Sequence, residues 1–552
     1  MNAPDHWWSR AVVYQVYVRS FVDSDGDGIG DLEGLRGRLG HIASLGVDAI
    51  WLCPAYPSPQ RDHGYDVADY FAVDPAYGDL EIFDRLVADA RTHGLRVMLD
   101  MVPNHCSDQH PWFQAALTSS PGSDERARFW FRHGPDGPPN NWEAAFGGSV
   151  WTAVGGDDPQ WYLATFTPHQ PDFDHRHPAV DEMFADALRF WFDRGVEGFR
   201  VDAVWPVGKD PALPDCPPLA PGEFNPAHRF RPEGHDVWRR WRRVLDDYNE
   251  AHPDRDVMMI AEAYAPRRAD ITAEYTRPDE FQQCFAFDLL LSPWHAPTMR
   301  RAIAEAFEHI RAQGAWPTFT LNNHDTQRTV TRFGHADSAR ADAWTGENLL
   351  NPHGSVDVAL GTRRARAAAG LLLAMPGAVY LYQGEELGLP EWLDLPDDAR
   401  EDPVFANTGG AKKGRDGCRV PLPWTAEPAG SYGFSPARGT AAPWLPQPDD
   451  WGRYAADVQD GDDGSMLELY RRLVARRRTL LTADAAELVD VADDVVAMWR
   501  GAVLVVCNAG SAPVDVALAA GLRPVLTTDA ADASDADGGS TVPGDTTMWF
   551  AP

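Results

Sequence analysis

The feature that most constrains the fold is a set of eight short apolar runs spread along 552 residues. They are VVYQVYVRSF (12–21), DAIWLCP (48–54), RVMLDMV (96–102), GFRVDAV (198–204), VMMIAEA (257–263), FAFDLL (285–290), TFTLNNHD (318–325) and AVYLYQG (378–384). Strict apolar–polar alternation is missing from them, as in the strands of a parallel sheet covered on both faces. Amphipathic segments lie between the runs. In PAVDEMFADALRFWFDRG, for example, Val180, Met183, Phe184, Ala187, Leu188 and Trp191 share one helical face. Eight strands alternating with helices predict an α/β fold, a (β/α)8 TIM barrel.

Some connections are too long for a plain barrel. Residues 104–172, rich in Pro, Gly and Trp, are expected to form an inserted subdomain after the third strand, between barrel segments 1–103 and 173–483. A proline-studded loop (205–234) follows the fourth strand, and a further insertion (about 389–462) follows the eighth. The basic helix MLELYRRLVARRRTLL is read as a solvated barrel helix rather than an anion site. From 484 to 552 the pattern shifts to short β runs such as VVAMW, which predict a C-terminal antiparallel β-sandwich.

Acidic residues number 82 against 49 basic ones, a formal charge of −33 that disfavours nucleic acid and anionic membranes as partners. No run of about 18 uncharged apolar residues exists to span a membrane. The first ten residues lack the layout of a secretory signal. The six scattered cysteines suggest neither a zinc site nor a disulfide framework, so a cytoplasmic location is expected. Oligomeric state is left open.

The strand ends carry the chemistry. Asp100 closes the third strand and leads to Asn104 and His105; Arg200 and Asp202 close the fourth, Glu262 the fifth, and His324 and Asp325 the seventh. Barrel enzymes gather their catalytic groups at that mouth. One charged strand end is commonly a structural hydrogen-bonder. Burying carboxylates costs several kcal/mol unless they are paired, so three acids around one arginine point to a working site.

DMVPNH (100–105), GFRVDAV, IAEAY (260–264) and LNNHD (321–325) resemble, in order, the four signature regions of glycoside hydrolase family 13, the α-amylase family. The resemblance covers nearly the whole chain. It implies Asp202 as nucleophile, Glu262 as general acid/base and Asp325 as the carboxylate that grips sugar hydroxyls, with the reacting pair ~5–5.5 Å apart. Arg200, on the same strand face as Asp202, is expected to keep it ionised, and His105 and His324 to bond the same sugar ring. The resemblance to α-glucosidases implies that Tyr65 stacks on a terminal glucose and that Asp62 pairs with Arg419 to close a one-ended pocket. Phe166 is carried over with the substrate-binding residues. QPDFD (170–174) resembles the marker of the oligo-1,6-glucosidase branch, with Phe for Leu and Asp for Asn. Ala203, where related α-1,6 enzymes have valine, implies α-1,4 linkages.

The expected function is thus a retaining exo-acting α-glucosidase on maltose and short malto-oligosaccharides, able also to transfer glucose. The alternatives are another small-saccharide member of the family (oligo-1,6-glucosidase, trehalose synthase, sucrose hydrolase or isomerase) and, remotely, a non-catalytic relative. The only cofactor expected is a structural calcium ion. In DSDGDGIGD (23–31), oxygens recur at alternate positions: Asp23, Asp25, Asp27, the Ile29 carbonyl and Asp31. This is not an EF-hand, since Gly34 stands where its glutamate would be.

Overall fold

Eleven strands precede the C-terminal region. They are β1 (Val12–Val16), β2 (Ala49–Leu52), β3 (Arg96–Met101), β4 (Phe131–His133), β5 (Trp151–Gly155), β6 (Asp158–Leu163), β7 (Gly198–Val201), β8 (Met258–Ala261), β9 (Gln283–Cys284), β10 (Phe319–Thr320) and β11 (Val379–Tyr382). They come from a computed structural model describing residues 6–134, 136–220, 222–340, 355–439, 441–484, 486–529 and 540–552. Residues 1–5, half of the stretch read for a secretory signal, lie outside the described residues.

Eight of these strands pair in the order β10–β11–β1–β2–β3–β7–β8–β9, and a parallel bridge between Phe285 and Thr318 joins the two ends into a closed barrel. Both strand faces are buried. Val13, Trp51, Met98, Ile260 and Tyr380 fill the interior, while their neighbours Tyr14, Ile50, Leu99, Met259 and Leu381 pack against the helices. This two-sided burial is why the strands do not alternate in sequence. Helix Pro178–Asp193 shows the complementary rule. It starts with proline at its first turn, His177 accepts the N–H of Ala179, and the six residues of its apolar face are all buried.

The sixth run needs correction. Its strand is Gln283–Cys284, and Phe287–Leu290, read as strand, forms a helical turn instead. A six-residue apolar run has no period that distinguishes the two.

Between β3 and β7 the chain builds the antiparallel sheet β4–β6–β5. Trp130, Trp142 and Trp151 form its core, joined by Leu213 and Ala227 from the long loop after β7. Trp142 Nε1 donates to the Pro214 carbonyl at 2.8 Å, fastening that loop over the barrel mouth's neighbour. Strands β12 (Ala486–Val489), β13 (Val495–Arg500), β14 (Val503–Asn508), β15 (Val514–Asp515), β16 (Arg523–Thr527), β17 (Thr541–Val542) and β18 (Thr546–Ala551) form the C-terminal antiparallel β domain. Arg500 donates to the carbonyls of Ala374 and Met375, and Arg477 of the basic helix to that of Leu373. Both cations cap the end of helix Val358–Leu372, where unpaired carbonyls leave partial negative charge. Among the described residues, no helix is long and apolar enough to cross a membrane.

Candidate active site

Strand alternation selects the side chains that reach the interior. Along β3 the inward positions are Met98 and Asp100; along β7 and its exit, Gly198, Arg200 and Asp202; along β8 and its exit, Met258, Ile260 and Glu262. Register adds precision, because Asp100 and Arg200 are direct partners across the β3–β7 pair. Arg200 Nη1 donates to Asp100 Oδ1 at 2.8 Å and to Asp202 Oδ1 at 2.5 Å, and Nη2 lies 3.9 Å from Glu262 Oε2. Past Asp202 the chain turns through Ala203, whose φ of 41° is left-handed. That turn aims the Ala203 N–H at Glu262 Oε2, 2.8 Å away. The residue that immediately follows Asp202 is therefore tethered to Glu262.

The two acids differ in proton affinity. Burial pushes Asp202 up to about 6, with the Arg200 charge working against it. Burial pushes Glu262 further, to about 8; Arg200 opposes this, and the negative charge of Asp202 adds to it. Between those values one carboxylate is bare and the other carries a proton, which is the division that glycosidic cleavage by two carboxyl groups requires. At Asp325 burial acts upward but is outweighed by His324, Arg415 and Arg419, which hold it well below the usual carboxylate range.

A chain of hydrogen bonds fixes the surroundings. Gln15 Nε2 donates to His324 Nδ1 at 2.7 Å, His324 Nε2 meets the Tyr65 hydroxyl at 2.7 Å, and that hydroxyl donates to Asp100 Oδ2 at 3.0 Å. Burial holds His324 well below its ordinary pKa, so Nδ1 accepts and Nε2 carries the proton. The Tyr65 and His324 rings lie parallel, 5.3 Å apart.

The expected partner of Asp62 is corrected. Arg415, not Arg419, bonds it, from Nη2 to Asp62 Oδ1 at 2.8 Å. Arg415 Nη1 reaches Asp325 Oδ1 at 3.0 Å and Nε reaches Asp402 Oδ2 at 2.6 Å. Asp402 also takes the Arg415 backbone N–H, and this double hold on the base of the side chain directs its tip to Asp62. Arg419 turns behind the site, donating to the His324 carbonyl and to Asp325 Oδ1.

The acids face a cavity of about 380 Å³. Asp62, Tyr65, His105, Phe166, Asp202, Ala203, Glu262 and Asp325 line it, whereas Arg200, His324 and Arg419 stand behind the lining. His105 is held by its neighbour Asn104, which donates to Nδ1 at 3.2 Å, and lies 4.9 Å from the Phe166 ring. Phe146, Trp205, Arg229, Tyr264, Phe287, Lys412 and Arg415 also line the cavity and were not anticipated from sequence. For Trp205 and Tyr264 a signal existed, since each closely follows a catalytic strand end. The post-barrel loop residues had none.

In the loop after β1, carboxylate oxygens of Asp23, Asp25 and Asp27 lie within 4.8 Å of one another. Gly28 in that loop has a φ of 91°, and a side chain there would strike the Ala442 carbonyl. Asp31 is not part of the cluster: its oxygens accept the N–H groups of Gly34 and Ser24, capping helix Leu32–Arg36. The Ile29 N–H donates to Asp27 Oδ1. Burial raises Asp27, and the charges of Asp25 and Asp23 raise it further. Asp23 and Asp25 likewise accept backbone N–H groups, and three carboxylates gathered in one turn form the kind of oxygen set that a hard cation takes.

Two carboxyl groups of unequal proton affinity, facing a cavity at a barrel mouth, are the arrangement that glycoside hydrolases use. The family model described as alpha amylase, catalytic domain, matches residues 15–484. A protein of Rhizobium meliloti (strain 1021) described as a probable alpha-glucosidase is 39% identical over 497 residues, 86% of this chain and 83% of its own. Trehalose-6-phosphate hydrolase of Escherichia coli (strain K12) is 34% identical over 507 residues, 86% of this chain and 84% of its own. The crystal structure of the alpha-glucosyl transfer enzyme XgtA aligns over 99% of both chains, with 33% identity and a TM-score of 0.84. The chain belongs to glycoside hydrolase family 13, the α-amylase family, on its α-glucosidase branch.

Proposed function

We propose that the protein is a retaining, exo-acting α-glucosidase that removes terminal α-1,4-linked glucose from maltose and short malto-oligosaccharides. Arg415, held between Asp62 and Asp325 on the cavity lining, supports this reading, in which the ion pairs close the cavity behind a single sugar. Asp202 attacks the anomeric carbon while Glu262 gives its proton to the leaving oxygen. Glu262 then takes a proton from the water that releases glucose from Asp202. A sugar hydroxyl in place of that water gives glucosyl transfer. Asp325, with Tyr65 and His105, grips the ring.

Maltotetraose followed by NMR tests the proposal. Glucose and maltotriose should appear first, with glucose initially as the α-anomer. Maltose as the sole early product would refute exo action, and β-glucose would refute retention. A second reading, another small-saccharide activity, is favoured by relatives that include a trehalose-6-phosphate hydrolase and a glucosyl transfer enzyme. Consumption of sucrose or trehalose with maltose left intact would establish it.

The acidic loop is further proposed to hold a structural calcium ion, through Asp23, Asp25 and Asp27. The six unpaired cysteines, five of them buried, support a reducing location, the cytoplasm.

A further inference from the structure

Arg229, a cation on the cavity lining, pairs with no carboxylate among the described residues. Arg200 and Arg415, which also serve this site, each hold at least two carboxylates. Arg229 differs. Its guanidinium lies 4.2 Å from the centre of the Trp205 ring and 5.8 Å from that of Phe224. Among the described residues it has neither a carboxylate partner nor a side-chain hydrogen bond. Stacking occupies the faces of the guanidinium plane and leaves the N–H donors, which project from its edges, unused.

Arg229 is also placed beside the two acids. It lines the same cavity as Asp202 and Glu262, and Trp205, on which it rests, is only three residues beyond Asp202. Trp205 in turn contacts Phe166, with ring centres 5.9 Å apart. The loop carrying the arginine is fastened on both sides: the Arg229 N–H donates to the Asn225 carbonyl, and the Phe230 N–H to that of Trp205. The side chain is therefore held beside the acids. Burial lowers its pKa, which reflects the cost of keeping a charge there without a partner. A half-buried guanidinium with open donors is matched best by a carboxylate or a phosphate, which accepts two parallel N–H bonds.

We propose that Arg229 makes the aglycone side of the cavity selective for α-glucosides whose leaving group bears an anionic substituent, a carboxylate or a phosphate. This rests on the α-glucosidase reading and adds the substrate class to it. Arg229 acts by binding the substituent and takes no part in proton transfer.

Two matched pairs test it. The first is 4-carboxyphenyl against 4-carbamoylphenyl α-D-glucopyranoside, nearly equal in shape and different in charge. The second is maltose bearing a 6-phosphate on its reducing glucose, against maltose. The ratio of kcat/KM within a pair, measured on one preparation, is independent of how much of a variant is folded. The wild type should favour the charged member of at least one pair by roughly tenfold or more, as a charge-assisted bond allows. The pair that responds identifies carboxylate or phosphate. Arg229→Gln should bring the ratio to about one, and Arg229→Lys should retain part of it. Equal turnover within both pairs by the wild type, or a preference surviving in Arg229→Gln, would overturn the proposal and leave the glucosidase reading standing. Failure to cleave any of the four would remove that reading and this inference with it.

Discussion

Arg415 donates to Asp62 across 353 residues of sequence, and both residues line the cavity that Asp202 and Glu262 face. The same guanidinium holds Asp325 and Asp402, so three acids depend on one cation. Removing one partner of a buried ion pair leaves the other charged and unpaired, which is more costly than lacking the pair altogether.

Arg415→Ala should therefore lower kcat/KM for maltose by roughly 100-fold or more, chiefly through KM. Chain-end preference should weaken as well. Steady-state kinetics on maltose and product profiles from maltohexaose would show both effects. Unchanged exo specificity would mean that something else closes the pocket.

Glu262→Gln removes the transferable proton but keeps an oxygen for the Ala203 N–H. Hydrolysis of maltose should fall by about 10²–10⁴, whereas 2,4-dinitrophenyl α-glucoside, whose leaving group needs no proton, should retain the glucosylation step. Rapid-mixing measurement of dinitrophenol release separates that step from turnover.

The pH profile follows from the same two acids. Activity needs Asp202 ionised and Glu262 protonated, so kcat/KM should rise through about 6 and fall through about 8. Stability should carry the trace of Glu262. Its folded pKa is raised, so the folded state binds more protons than the unfolded chain between the ordinary glutamate value and about 8. The wild type then loses stability as pH rises through that window. Glu262→Gln should melt higher than wild type at pH 8, and the advantage should shrink toward pH 4.

Ala203 lines the cavity in a left-handed turn next to Asp202. A valine there would narrow the aglycone side, and its branched side chain fits that backbone poorly. Ala203→Val should raise the isomaltose-to-maltose ratio of kcat/KM and lower the melting temperature by a few degrees. A ratio unchanged by the substitution would remove residue 203 from linkage choice.

The acidic loop makes a prediction independent of catalysis. A chelator should lower the melting temperature and calcium should restore it, because an ion bound only by the folded chain stabilises that chain. Asp23→Ala should melt like the chelated wild type and ignore added calcium.

The barrel was legible from its eight apolar runs, two-sided burial having removed the alternation from its strands. Asp100, Arg200, Asp202 and Glu262 could be placed at the mouth because they end strands, whereas the roles of the acids came from the resemblance to family 13 alone. Gln15 gave a fainter signal, a polar residue within the buried run VVYQV, and proves to anchor His324. The Asp62 partner was not legible. Arg415 and Arg419 are four residues apart in a loop without period, and only the grip of Asp402 on one of them decides which reaches Asp62. The sixth strand failed for a related reason, its run being too short to carry a period. Arg229 sits in a proline-rich loop whose path depends on contacts with the excursion after β3.

The central claim is that Asp202 forms a bond to the sugar while Glu262 handles the proton. The most direct measurement is mass spectrometry of peptides after the enzyme is treated with 5-fluoro-α-D-glucopyranosyl fluoride, which slows release of a bound glucosyl group. A fluoroglucosyl adduct should form on Asp202, and none in the Asp202→Asn variant. An adduct on any other residue, or inactivation without an adduct, would contradict that claim.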